Sequence, residues 1–289
     1  MTVQVFAPAK INLTLEVGRP RDDGMHPLQS VVAFADVGDI ITAEAGESLS
    51  LRITGDFADQ LSEGDTDNLV LRAARALAQA AGVPANAKLT LEKSLPVASG
   101  IGGGSSDAAA ALRALNALWA LGYDGSQLQD VARGLGADVP VCVSGAPAWM
   151  TGLGETWAPV RAPAFAAVLV NPLHELATPL VYREFDRMGL GDAFAPRSAP
   201  NWADRAAALS DIVATGNALT AAAATLAPNI TLIVEILRND ARAEHAAMSG
   251  SGATCFALVD SLVAAEALAA DLRAAHPDWW VIETELGGA

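Results

Sequence analysis

Cysteine is almost missing from this 289-residue sequence: there are two, Cys142 and Cys255, far apart and inside apolar runs. Two such residues supply no disulfide framework and predict buried thiols in a reducing compartment. Basic residues are also scarce, 18 Lys and Arg against 33 Asp and Glu, for a net charge of -15. A surface this acidic repels a phosphate backbone, which argues against a nucleic-acid partner. It also opposes any anionic substrate at long range, so a phosphate site has to be local, built from main-chain N–H groups and a few cations. The four histidines have no metal-ligand spacing, and the sequence names no metal ligands. An uninterrupted apolar run of membrane-spanning length is lacking. The longest candidate, 213–236, is broken by Asn217, Thr220, Pro228, Asn229 and Glu235. The start, MTVQVFAPAK, lacks the basic residues and apolar stretch of a secretory leader, which predicts a cytoplasmic protein. Aromatics make up only 5%, so each one near a candidate site can be weighed individually.

What is present is a 52% hydrophobic, alanine-rich chain with 18% charged residues, well outside the disordered range. The first 55 residues read as strands: Val3 and Val5 alternate with polar residues, as do Ile11, Leu13, Leu15 and Val17. Arg19 to Gly24 is a turn by composition, and Leu49, Leu51 and Ile53 mark a further strand. A helix is predicted from Leu69 to about Ala81, closed by Gly82, then a strand through Leu89 and Leu91. A second helix is predicted over 108–121, and a third capped by Ser126. Beyond a buried strand at 165–170 come helices near 179–187, 202–214 and 217–237, a strand at 254–259, a helix at 262–275 and a strand at 279–284. Strands and helices without regular βαβ alternation predict an α+β fold. A boundary near residues 160–165 divides it into domains 1–162 and 163–289. The oligomeric state, monomer or homodimer, is left open.

The most informative stretch is Pro96-Val97-Ala98-Ser99-Gly100-Ile101-Gly102-Gly103-Gly104-Ser105-Ser106, lying between a strand and a long helix. Without Cβ atoms the backbone can approach a ligand closely and turn through positive φ. Successive N–H groups can then point into one cavity, and a helix start near Asp107 adds its unsatisfied N–H groups and partial positive charge. Ser105 and Ser106 offer hydroxyls to a phosphate or its Mg²⁺. The loop is not a Walker A motif, because it ends in Gly-Ser-Ser-Asp instead of Gly-Lys-Ser/Thr. A flexible linker is the bland alternative, but a linker would not run straight into a patterned helix.

This loop resembles the P-x-x-x-G-[LI]-G-x-S-S motif of the GHMP kinase superfamily. Three further segments are similar to one cytidyl-substrate branch of it: Pro8-Ala9-Lys10-Ile11-Asn12-Leu13, Gly136-Ala137-Asp138-Val139-Pro140-Val141 and Met248-Ser249-Gly250-Ser251-Gly252-Ala253-Thr254. Ala227-Pro228-Asn229-Ile230 matches more weakly. The resemblance implies an N-terminal domain like ribosomal protein S5 domain 2, a ferredoxin-like C-terminal domain, and phosphoryl transfer from ATP, with Mg²⁺, to an alcohol. It implies that Asp138 is the general base and Lys10 its electrostatic partner. It also implies that Asn12 contacts the alcohol and Asn68 lies near the nucleotide. Read without the resemblance, Lys10 is a solvated strand-end lysine, Asp138 and Asn68 are helix caps, and Ser249–Gly252 is a tight turn.

The branch pattern Gly-[Tyr/Phe]-His-x-Leu, whose aromatic stacks on cytosine, is here Gly24-Met25-His26-Pro27-Leu28. Methionine is polarizable but has no π face. The resemblance leaves His26 for the base edge and places Tyr182, after Thr178-Pro179, where a second aromatic could cover the ring; Tyr182 also reads as an ordinary half-buried helix residue. Met25 keeps alive a kinase of the same superfamily acting on another alcohol, such as homoserine or a mevalonate derivative. A nucleotide-binding pseudokinase is the alternative from another class.

Overall fold

The computed structural model describes residues 1–62 and 65–287. In chain order its strands are β1 (Thr2–Asn12), β2 (Glu16–Val17), β3 (Leu28–Glu44), β4 (Ser50–Thr54), β5 (Lys88–Glu92), β6 (Ala148–Thr151), β7 (Thr156–Pro159), β8 (Phe165–Asn171), β9 (Ala243–Met248), β10 (Cys255–Val259) and β11 (Trp280–Leu286). The helices are α1 (Leu69–Ala81), α2 (Gly103–Leu118), α3 (Gly125–Ala132), α4 (Val139–Ser144), α5 (Thr178–Arg187), α6 (Arg205–Thr215), α7 (Thr220–Leu226), α8 (Asn229–Asn239) and α9 (Leu262–Ala275).

The chain forms two compact units, and they are interleaved. Met1–Ala9, Val37–Val97 and Gly102–Gly145 make the first; Lys10–Asp36, Ala98–Ile101 and Ala146–Ala289 make the second. A division near 160–165 follows chain order and does not capture this pattern. The physical reason is strand length: β1 has 11 residues and β3 has 17, and each passes from one unit into the other.

In the first unit β4 runs parallel to β5, and β5 pairs antiparallel with the second half of β3, Ile40 opposite Glu92 through Glu44 opposite Lys88. Alternation buries one face: Ile41 and Ala43, Leu51 and Ile53, Leu89 and Leu91. Helix α1 packs on α2, and α2 and α3 pack on α4. Asn68 starts α1 by accepting from the Val70 N–H (2.9 Å), and Gly82 ends it at φ 66°. Four consecutive alanines, Ala108–Ala111, are fully buried in α2, so neighbouring backbones approach closely.

Three helix boundaries depart from the sequence reading. Helix α2 begins at Gly103, five residues early, because Gly102 (φ 65°) turns the loop directly into the first helical turn. Asp124, not Ser126, caps α3, through a reciprocal capping box with Gln127. The run 217–237 breaks into α7 and α8 at Ala227-Pro228, where proline removes a helical N–H.

In the second unit β10 lies between β9 and β8, β8 pairs with β11, and β11 reaches β3 where Leu286 meets Ala35. All these pairs are antiparallel. Helix α8 packs on β9 and β10, and α9 on β8 and β11. The core joins Val168 and Val170 to Ile230, Ile233, Leu237 and Leu268, and Leu15 and Val17 from the chain's start enter the same cluster. The β6–β7 hairpin pairs with the first half of β3, Val31 opposite Trp149. The expected α+β class holds: the sheet is mainly antiparallel, with β4–β5 parallel.

Candidate active site

The N-terminal segment, the glycine-rich loop and the third motif meet in the second unit. The Lys10 N–H donates to the Ile101 carbonyl (2.8 Å), and the Thr254 N–H donates to that of Ser99 (3.0 Å). Ser249 ties the three together: its Oγ accepts from the Asn12 N–H (3.1 Å) and donates to the Gly100 carbonyl (3.1 Å). Gly100 has φ 76°, and a Cβ there would lie 2.6 Å from the Gly252 carbonyl oxygen. Gly250 has φ 55°, and its Cβ would lie 2.6 Å from the Gly100 carbonyl oxygen. Only glycine fits at both positions, so the two turns are interlocked. Asn217 clamps the turn further, donating to the carbonyls of Met248 and Gly250 (2.8 Å each). Thr178 Oγ1 and Ser251 Oγ lie 2.8 Å apart. Lys10 is buried, which rules out the solvated strand-end reading.

In the first unit the remainder of the loop becomes the start of α2. The first intrahelical bond runs from the Ser106 N–H to the Gly102 carbonyl (2.9 Å). The N–H groups of Gly103, Gly104 and Ser105 precede it and project from the helix end with its partial positive charge. A Cβ on Gly104 would meet nothing within 4 Å, so that side of the turn is open to a ligand. Ser106 differs from expectation: it is buried, with its hydroxyl directed to Cys142 Sγ (3.5 Å), which leaves Ser105 as the hydroxyl at the helix mouth. Among the described residues no group of three or more His, Cys, Asp or Glu could hold a metal.

Beneath this helix start lies a buried cluster that the sequence reading missed. Lys93 Nζ bonds Asp39 Oδ2 and Asp107 Oδ2, the latter at 3.0 Å. The second Asp39 oxygen accepts from the N–H groups of Ser94 (2.6 Å) and Leu95 (2.8 Å). Desolvation pushes the Asp107 carboxyl up to about 8 against the pull of Lys93, and Asp39 nearby adds to the rise. The two carboxylates raise Lys93 despite its burial. A Cβ on Gly103 would be 3.1 Å from Lys93 Nζ, so the ammonium lies directly against the helix start. No spacing rule links positions 39, 93 and 107.

Asp138 stands at the N-cap position of α4 and makes no side-chain capping bond, so the capping alternative does not account for it. Asn68 does cap α1, as its alternative required. In the second unit His26 is buried, with Nε2 2.7 Å from Asp186 Oδ1 and its ring 4.9 Å from that of Tyr182. Tyr182 sits half-buried on α5. Met25, next to His26 in sequence, is 51% exposed, its N–H held by Asp23 Oδ1 (2.9 Å). The structure thus unites His26 with Tyr182, and Lys10 and Asn12 with Ser99–Ile101.

The family model for the GHMP kinases N terminal domain matches residues 68–146, and that for the GHMP kinases C terminal domain matches 201–278. The 4-diphosphocytidyl-2-C-methyl-D-erythritol kinase of Paramagnetospirillum magneticum is 46% identical over 284 residues, 98% of each chain. That of Parvibaculum lavamentivorans is 47% identical over 285 residues, 98% of this chain and 97% of its own. A crystal structure of 4-(cytidine 5'-diphospho)-2C-methyl-D-erythritol kinase superimposes with a TM-score of 0.78 at 32% identity, covering 99% of this chain and 100% of the other. Homoserine kinase from Cytophaga hutchinsonii shares the fold alone, with a TM-score of 0.73 at 19% identity over 98% of this chain and 94% of its own. Near-complete coverage at this identity, on a structure whose loop and third motif interlock, leaves one conclusion: the chain belongs to the GHMP kinases, in the family of the 4-diphosphocytidyl-2-C-methyl-D-erythritol kinases.

Proposed function

We infer that the protein transfers the γ-phosphoryl group of ATP to the 2-hydroxyl of 4-diphosphocytidyl-2-C-methyl-D-erythritol, a step of non-mevalonate isoprenoid biosynthesis. The observation that carries this reading is the 46% identity to a kinase of that name over 98% of both chains. Phosphoryl transfer asks a protein mainly for positioning and charge stabilisation. The N–H groups at the start of α2 and the loop Pro96–Ser105 would hold the triphosphate, and the Ser105 hydroxyl would help hold Mg²⁺, which would supply charge neutralisation during transfer. Asn68, fixed at the start of α1, would border the nucleotide. Asp138 would accept the proton of the substrate hydroxyl as it attacks phosphorus, and Lys10 would stabilise charge on the transferring group. Asn12 would contact the alcohol. Met25, His26 and Tyr182 would receive the cytosine, with the His26–Tyr182 contact of 4.9 Å supporting that grouping. Among the described residues no helix is long and apolar enough to cross a membrane, which suits work on soluble metabolites in the cytoplasm.

The test is direct. Purified protein is given ATP, Mg²⁺ and each candidate alcohol, and ADP release is followed. Turnover that depends on the cytidyl-linked alcohol supports the reading. The exposed Met25 favours one second reading, a related alcohol without cytosine, and a preference for homoserine or a mevalonate derivative would select it. Nucleotide binding with no turnover on any alcohol would mark a pseudokinase.

A further inference from the structure

Ser30 is fully buried in β3 beside the side chain of Asn12. Its Oγ lies 2.5 Å from the Thr14 carbonyl oxygen, 3.5 Å from that of Val31 and 2.7 Å from Asn12 Nδ2. A serine hydroxyl has one hydrogen, and a carbonyl oxygen can only accept. The hydrogen therefore goes to Thr14, and Ser30 Oγ is left as an acceptor towards Asn12. Only the NH₂ end of the Asn12 amide can face it. The reversed amide would set two acceptors against each other in a buried site, an arrangement the network excludes.

The surrounding bonds have the same single direction. Thr14 Oγ1 accepts from the Val31 N–H (2.9 Å), and the Asn12 N–H donates to Ser249 Oγ, whose hydrogen goes to Gly100. The Asn12 Oδ1 atom is thereby turned towards the third glycine turn, where a Cβ on Gly250 would lie 3.4 Å from it.

We propose that Ser30 is a positioning residue: it locks the Asn12 amide so that an acceptor, Oδ1, faces a hydroxyl of the polyol substrate beside the phosphate cradle. The proposal rests on the kinase reading above. An acceptor at this point takes an O–H hydrogen bond and repels phosphate oxygens, which carry no hydrogen to give at neutral pH. An acceptor held in this orientation therefore selects an alcohol over a phosphate group by hydrogen-bond polarity.

Two measurements decide it. Neutron diffraction of the deuterated protein without substrate is expected to show two deuterons on the Asn12 atom that faces Ser30. Finding the oxygen there would overturn the proposal whatever the substrate is. In steady-state kinetics Ser30→Ala is expected to lower kcat/KM for the alcohol roughly tenfold, the size of one neutral hydrogen bond, with KM for ATP within about twofold of the parent. Ser30→Cys, which keeps the volume but replaces the oxygen by a poor acceptor, gives the same split should Ser30→Ala fold badly. Adding Ser30→Ala to Asn12→Ala is expected to cost nothing more, because Ser30 acts through Asn12. Additive losses, or an equal rise in both KM values, would show a merely structural serine. Failure of every alcohol to be turned over would sink the kinase reading and the role given to Oδ1, while the neutron map would still decide the amide orientation.

Discussion

Lys93 holds Asp107 at 3.0 Å under the first turn of α2, inside a cluster that sets one ammonium between two buried carboxylates. Removing the ammonium by Lys93→Ala leaves buried Asp39 without its cation, and the expected loss is about 3–5 kcal/mol in urea denaturation. The same cluster sets a pH dependence. The folded protein keeps a proton on Asp107 up to about pH 8, whereas the unfolded chain releases it near the model-compound value of 3.8. Between these limits the folded state binds more protons, so the group's contribution is fully present at low pH. It is lost as pH rises towards 8, by up to about 1.4 kcal/mol per pH unit. Asp107→Asn should flatten that slope, and an unchanged slope would exclude Asp107 as its source.

Gly100→Ala is expected to damage binding more than folding. The new Cβ would press on the Gly252 and Ser249 carbonyl oxygens at 2.6 and 2.7 Å and impose strain at φ 76°. Backbone strain of this kind costs about 1–3 kcal/mol. The loop can relieve it by unlocking from the third motif, which displaces the cradle. Calorimetric titration with a non-hydrolysable ATP analogue should show affinity reduced at least about tenfold.

The glycine loop was legible because its chemistry is written in consecutive residues, and the α1 and α9 bounds were legible because caps and periodicity agree there. The start of α2 was not, since Gly103 and Gly104 are poor helix formers that take helical geometry only where the loop delivers them. The Lys93 cluster and the Ser249 bridge depend on contacts between residues 14 to 237 positions apart, and no local pattern marks such pairs. Ser106 illustrates the limit in one residue. Its type suits a phosphate, but the 3.6-residue period of α2 turns it inward.

Met25→Tyr should restore a π face to the exposed position next to His26. One aromatic contact is worth about 0.5–1.5 kcal/mol, so KM for the cytidyl-linked alcohol should fall about two- to thirteenfold, with KM for ATP unchanged. No change would mean that cytosine lies away from residue 25.

Asp138→Asn keeps size and hydrogen bonding but removes the base. Turnover should fall at least about a hundredfold while affinity for the ATP analogue is retained. Near-normal turnover would take Asp138 out of its assigned role.

The interleaving of the two units has a consequence for synthesis on the ribosome. The chain passes between them after residues 9, 36, 97, 101 and 145. Leu15 and Val17 leave the exit tunnel well before Leu268 and Leu272, with which they share a core, and Ala35 waits for Leu286. Lys10–Asp36 therefore emerges with these partners still untranslated and lacks its complete native core until the chain has been made as far as Leu286. A nascent chain stalled at residue 160 should be cut by protease within this segment, where the finished protein resists.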